Sequence, residues 1–150
     1  MNIFEPREII EFAIQIEIKG ERFYTIAAGK FSDKKVKLLF TNLAGQEHEH
    51  KSKFESILGR IKGNELPVKF DDEYYEYLQA YTKGKIFDKK LPKIKKPIDA
   101  IKFALDVEGN SILFYNDAKK FVLADEKTII DDIIEQERQH FVRLSRLLKE

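Results

Sequence analysis

The stretch GQEHEHK, Gly45 to Lys51, sets two glutamates and two of the chain's three histidines at four consecutive positions. On an α-helix successive side chains are turned by about 100°, so these four point in different directions and only Glu47 and His50, three apart, share a face. Followed both ways, that face reads Val36, Leu39 or Phe40, Leu43, Glu47, His50, Phe54, Ile57 and Ile61. It is an apolar stripe broken at its centre by one Glu-x-x-His pair. His48 and Glu49 fall outside it and are expected at the solvent face.

The same break recurs along the chain. An earlier stripe, Ile10, Ala13, Glu17, Gly20, Tyr24, Ala27 and Phe31, is apolar apart from Glu17. A later one, Ile101, Ala104, Glu108, Ser111, Tyr115, Ala118 and Val122, carries Glu108 in the same place, and the last, Ile130, Ile133, Glu137, His140, Leu144 and Leu147, carries a second Glu-x-x-His. AIQIEIKGERFY pairs with ALDVEGNSILFY, and GQEHEH with EQERQH. Positions 17, 47 and 50 recur at 108, 137 and 140, offsets of 91, 90 and 90, so the chain is an internal duplication.

An ionised carboxylate on a buried stripe costs several kcal/mol or more unless it is paired or bound to a metal. No Lys or Arg shares these stripes. Four glutamates therefore call for cations, and their charge matches two divalent metals, with one neutral imidazole for each. A single Glu-x-x-His on a helix is ordinarily a solvated surface pair. Two of them, each on a core stripe and each about 30 residues after a lone core glutamate, form a six-residue set: Glu17, Glu47, His50, Glu108, Glu137 and His140.

Composition narrows the chemistry further. The 150 residues suit one domain, and 43% hydrophobic residues are enough for a core. Lys+Arg of 27 against Asp+Glu of 26 leaves a net charge of +1, with no overall field to draw the chain to nucleic acid or membrane. With no cysteine, thiolate nucleophiles, Cys-ligated zinc and four-thiolate iron centres are excluded. The N-terminus has no signal-peptide pattern and no segment approaches the ~20 apolar residues of a membrane span, so a cytoplasmic location is expected.

Helical periodicity predicts four helices, over about 6–30, 33–62, 97–123 and 125–149, with Ser32 or Asp33 capping the second. Short turns join the first two and the last two. A long connection, about 64–96, separates the pairs and is expected to hold a short aromatic helix around DDEYYEYLQAYTK. Its lysine-rich end, KGKIFDKKLPKIKKP, reads as a solvated loop. The fold class is thus all-α, a four-helix bundle of two antiparallel pairs with one crossover, as in ferritin-like folds.

These residues resemble the ferritin-like di-iron carboxylate proteins, and most closely the rubrerythrin-type domain. There a Glu six residues before Phe-Tyr is followed about 30 positions on by Glu-x-x-His, matched by Glu17 before Phe23-Tyr24 with Glu47 and His50, and by Glu108 before Phe114-Tyr115 with Glu137 and His140. The resemblance implies two Fe ions, with Mn or Zn as alternatives, Glu17 and Glu108 as terminal or chelating ligands, Glu47 and Glu137 as bridges, and His50 and His140 as one nitrogen ligand per metal. It implies reaction with dioxygen or hydrogen peroxide, and frequently a homodimer. Without a rubredoxin module, the electrons are expected from an external donor such as a separate rubredoxin. Rubrerythrins place an extra Glu three residues after the helix-three ligand, where this chain has Ser111, which bears on peroxidase turnover. A ferroxidase or iron-storage role and a non-redox metal-binding role are the alternatives. Gln46 and Gln136 are candidates to orient a ligand histidine, Tyr24 and Tyr115 to donate to a ligand carboxylate, and Gly20 and Ser111 to leave room for the oxidant.

Overall fold

The structure is a computed structural model that describes residues 2–4, 6–61, 68–70, 73, 76–77, 80 and 94–149. Helices α1 (Pro6–Lys30) and α2 (Lys34–Arg60) form the first pair, and α3 (Pro97–Ala118) and α4 (Ala124–Lys149) the second. Proline opens α1 and α3, where its missing N–H is one of the amides a helix start leaves unbonded anyway. Of the two candidate caps before α2 it is Asp33 that serves, its Oδ1 accepting from the Lys35 and Val36 amides at 2.9 and 3.1 Å. Asp99 reaches back to the Lys96 amide at 3.2 Å at the start of α3.

The third helix ends earlier than its periodicity predicts. After Ala118 the chain tightens into a 3₁₀ turn, Lys119–Phe121, which buries the Phe121 ring, and Lys119 Nζ reaches Asp131 on α4 at 2.8 Å. A second departure is a short antiparallel pair, β1 (Asn2–Phe4) with β2 (Val68–Phe70), Asn2 opposite Phe70. The rest of the expected crossover and its aromatic helix lies outside the described residues, apart from Glu73, Glu76, Tyr77 and Ala80, which are helical.

Four apolar stripes meet in the interior, but as two clusters rather than one. One gathers Ile9, Ile10, Ala13, Phe54, Ile57, Tyr115, Phe121, Ile130 and Ile133; the other gathers Phe23, Tyr24, Ala27, Phe40, Leu43, Ile101, Ala104 and Leu144. Every helix contributes to both, so each full burial of a large side chain, about 1.5–3 kcal/mol, ties the pairs together. Between the clusters lies a polar layer. Among the described residues no helix is long and apolar enough to cross a membrane.

Candidate metal centre

The polar layer is built from the middle of each helix. Glu17 of α1, Glu47 and His50 of α2, Glu108 of α3, and Glu137 and His140 of α4 are all buried. Because i and i+3 share a face, each Glu-x-x-His pair aims both its side chains inward, and the apolar turns above and below hold the helices close. The donors fall into two groups. Glu17, Glu47, His50 and Glu137 each offer an atom within 4.8 Å of the others, and so do Glu47, Glu108, Glu137 and His140. Glu47 and Glu137 belong to both, so the six expected residues are brought together as two overlapping four-donor groups.

The four surrounding side chains also converge, and they cross between halves. Tyr24 of α1 donates to Glu108 Oε1 on α3 at 2.5 Å, and Tyr115 of α3 donates to Glu17 Oε1 on α1 at 2.5 Å. Gln136 Oε1 accepts from His50 Nε2 at 2.6 Å, and Gln46 Oε1 from His140 Nε2. An amide oxygen at Nε2 requires a proton there, which leaves Nδ1 as the nitrogen that turns to the carboxylates. The phenol rings are fixed in turn by packing: Tyr24 stacks on Phe40 with centroids 5.8 Å apart, and Tyr115 leans on Phe54 at 5.0 Å. The two imidazoles lie nearly parallel, 18° apart with centroids at 5.8 Å.

Whether the donors fit a metal can be judged from what they leave unbonded. Among the described residues six buried side-chain N or O atoms have no hydrogen-bond partner, and five sit here: Glu17 Oε2, Glu47 Oε1, Glu108 Oε2, Glu137 Oε2 and His140 Nδ1. Buried polar atoms are almost always satisfied, so five orphans in one layer mark a missing partner that accepts electron pairs from oxygen and nitrogen. Among the described residues the ion-pair partners of the four carboxylates are the two imidazoles, too few to balance them. Hard O donors with one imidazole per group fit a first-row divalent cation.

Packing four carboxyls and two imidazoles into one buried layer perturbs their protonation. Burial, reinforced by Glu137, raises the Glu17 carboxyl, and burial with Glu137 and Glu17 raises Glu47 well above its ordinary value. Burial would raise Glu137 too, but the two imidazoles beside it, His140 with Nδ1 at 3.4 Å and His50 with Nδ1 at 3.0 Å, hold it below the usual range. His50 goes the other way from what burial alone would do: its contacts with Glu137, at 3.0 Å, and Glu17 lift it to about 10. Burial and the nearby carboxylates push both phenols well above 10.0. Without a cation the cluster holds itself together by keeping protons.

One neighbour escaped the sequence reading. His48 is exposed as expected, yet its Nδ1 meets Glu21 Oε1 of α1 at 3.2 Å. Glu21 lies one turn beyond Glu17 with Ile112 in the equivalent place, and that mismatch between the halves was the available signal.

Comparison with known proteins agrees with this architecture. No curated protein matches the chain. A Thermotoga maritima protein described as ferritin-like and diiron-carboxylate has 23% identity over 100% of this chain and 98% of its own, with a TM-score of 0.78. A hypothetical protein of Pyrococcus furiosus has 20% identity over 97% of this chain and 89% of its own, with a TM-score of 0.73. Both show the fold, a ferritin-like four-helix bundle. The family model described as Rubrerythrin matches residues 8–148, almost end to end, and the chain belongs to the rubrerythrin family.

Proposed function

We propose that this chain is a dinuclear iron protein that reduces hydrogen peroxide or dioxygen. The observation that carries the reading is the pair of overlapping donor groups, which among the described residues hold five of the six buried side-chain atoms that lack a hydrogen-bond partner. Glu17 and His50 would hold one metal, Glu108 and His140 the other, with Glu47 and Glu137 shared. When bound, the iron pair supplies the two electrons that peroxide reduction consumes, one from each ion. Mn and Zn suit the same donors; iron is favoured by family membership.

The chain's own residues set the conditions. Gln136 and Gln46 keep the Nε2 proton on His50 and His140, so Nδ1 is the nitrogen that faces inward and would give up its proton to a metal. Tyr24 and Tyr115 hold a proton on one oxygen of Glu108 and Glu17, which fixes each carboxylate's rotation and leaves the other oxygen free. The apolar clusters above and below exclude bulk water and strengthen every electrostatic contact in the layer. Re-reduction falls to a separate electron carrier such as a rubredoxin, because the chain has no cysteine with which to ligate a second iron centre. A homodimer is proposed with it, on family grounds.

Anaerobic titration with ferrous iron, metal analysis of the product and rapid mixing with peroxide test the proposal. The expected result is two irons per chain, oxidised by about one peroxide per pair, which fits two electrons per peroxide. Many irons per chain would identify a storage protein instead. Iron that binds and resists peroxide and dioxygen would identify a non-redox metal site.

A further inference from the structure

Each position on the outer face of α4 has a counterpart on α2, and the two faces have diverged. Glu135, Arg138, Gln139, Val142, Arg143 and Arg146 line a groove of about 310 Å³ along α4. At the offset of 90 the first half has Gly45, His48, Glu49, Ser52, Lys53 and Ser56. Three guanidiniums thus stand where α2 carries an imidazole, an ammonium and a hydroxyl. The chain's cations are otherwise mostly lysine, yet half of its six arginines fall between positions 138 and 146. Arginine is the cation that grips carboxylates in a planar, two-pronged fork. Among the described residues lining the groove only Glu135 opposes them, 3.6 Å from Arg138.

The groove is not purely basic. Val142 lies between the arginines, 46% exposed, and the neighbouring Phe141 ring is 38% exposed. That ring leans over Gly109 of α3, where a Cβ would lie 3.8 Å from Phe141 Cε2. Ser52 and Lys51 occupy the places of Val142 and Phe141 in the first half. Apolar side chains framed by arginine are the composition of a protein-binding surface, where lysine is depleted. Helix α4 carries Glu137 and His140 on its buried face, so a partner seated on the groove stands one helix diameter, ~10–12 Å, from the polar layer.

We propose that this face of α4 is where the separate electron carrier docks, and that the carrier presents a carboxylate-rich surface to Arg138, Arg143 and Arg146. The assignment rests on the redox reading above and adds to it a place and a charge. A second copy of the chain does not suit the groove. Two copies meeting through it would each bring three guanidiniums against one carboxylate, a like-charge contact that costs several kcal/mol. An acidic protein pairs with all three arginines and covers Val142 and Phe141. Each carrier molecule gives up one electron and leaves oxidised, so two are consumed for each hydrogen peroxide, which takes up two protons and leaves as two waters.

Stopped-flow mixing of the peroxide-oxidised, iron-loaded chain with a reduced, acidic rubredoxin, followed by the visible absorption that rubredoxin gains on oxidation, tests this. At low ionic strength the Arg143→Glu, Arg146→Glu double variant is expected to oxidise rubredoxin about 10–100-fold more slowly, and high salt should erase most of the difference. Val142→Ser should slow the reaction a few-fold at both salt concentrations, because that contact is apolar. Lys53→Glu, at the matching place on α2, should react as the unmodified chain does. Calorimetric titration of the metal-free chains with the same rubredoxin should show weaker binding by the double variant alone of the two charge variants. Equal rates for the double variant and the unmodified chain at low salt would overturn the docking site, as would a Lys53→Glu variant slowed as much. Sedimentation showing a dimer that the double variant loses would overturn it too, and give the face to a second copy. Iron that resists peroxide in the unmodified chain would overturn the redox reading, whereas the calorimetric titration needs no metal and tests the docking face by itself.

Discussion

The first helix pair and the second carry the same chemistry at matching positions and surround it differently. Glu17, Glu47 and His50 answer to Glu108, Glu137 and His140, and Tyr24 and Gln46 to Tyr115 and Gln136. Gly20, Glu21 and His48 answer to Ser111, Ile112 and Arg138. Every residue that touches the centre with a donor atom is repeated, whereas the margin is not. A duplicated chain needs both copies of its ligands to balance the charge of the layer, whereas the residues at its margin are under no such demand and differ. The halves are also interlocked, since each phenol and each amide serves a ligand of the other half.

This comparison can be broken at several levels. The largest effect is expected from Glu47→Ala and from Glu137→Ala, because each carboxylate belongs to both donor groups; metal analysis should show both ions lost in either variant. A variant that keeps one ion would show the halves unequal at the ligands themselves. His50→Ala and His140→Ala should each lose one ion of the two, read by the same analysis. Next come Gln136→Ala and Gln46→Ala, each weakening one metal position about 10–100-fold in competitive titration. The crossing makes the direction specific: loss of Gln136 on α4 should weaken the position that includes His50 on α2.

The pH dependence of the metal-free chain gives a subtler effect. His50 is lifted from 6.5 to about 10 in the folded chain, so its pairing with Glu137 stabilises fully below 6.5 and is lost as pH rises through 10. The raised carboxyls of Glu17 and Glu47 act in the same sense, each losing its favourable proton as pH rises. The thermal midpoint of the metal-free protein should therefore fall between pH 7 and 10, whereas metal affinity should rise over the same range as protons leave the ligands. Calorimetry of the two forms would show it, and Glu137→Gln should flatten the metal-free slope. The smallest effect is expected at His48→Ala, which should keep its full metal content because His48 lies outside both donor groups.

The four helices and the six buried donors were legible because a helix repeats every 3.6 residues, and a carboxylate at the centre of an apolar stripe contradicts its neighbours. The crossing was not legible. Spacing along one helix says which side chains share its face, and nothing about which helix that face meets, so Tyr24 could be read as a donor to a carboxylate without Glu108 being identified. The choice of Asp33 over Ser32 as cap turns on which oxygen reaches the Lys35 and Val36 amides, and the stop of α3 at Ala118 on where Phe121 finds room in the core. Pairing of Asn2–Phe4 with Val68–Phe70 brings together segments more than 60 residues apart, and three-residue strands carry too little periodicity to announce themselves.

The split interior has a further consequence. Each apolar cluster draws on all four helices, and the hydrogen bonds around the centre run from either half to the other in matched pairs. That reciprocity, in which position i meets j and j meets i, is the signature of an isologous two-fold contact. The chain is folded as a dimer of its own halves, and neither hairpin alone could close a core or complete a donor group. A gene encoding one such hairpin could have made the whole cage from two copies; fusing them into one chain left the inner contact bound to its symmetry and released the outer surface to diverge.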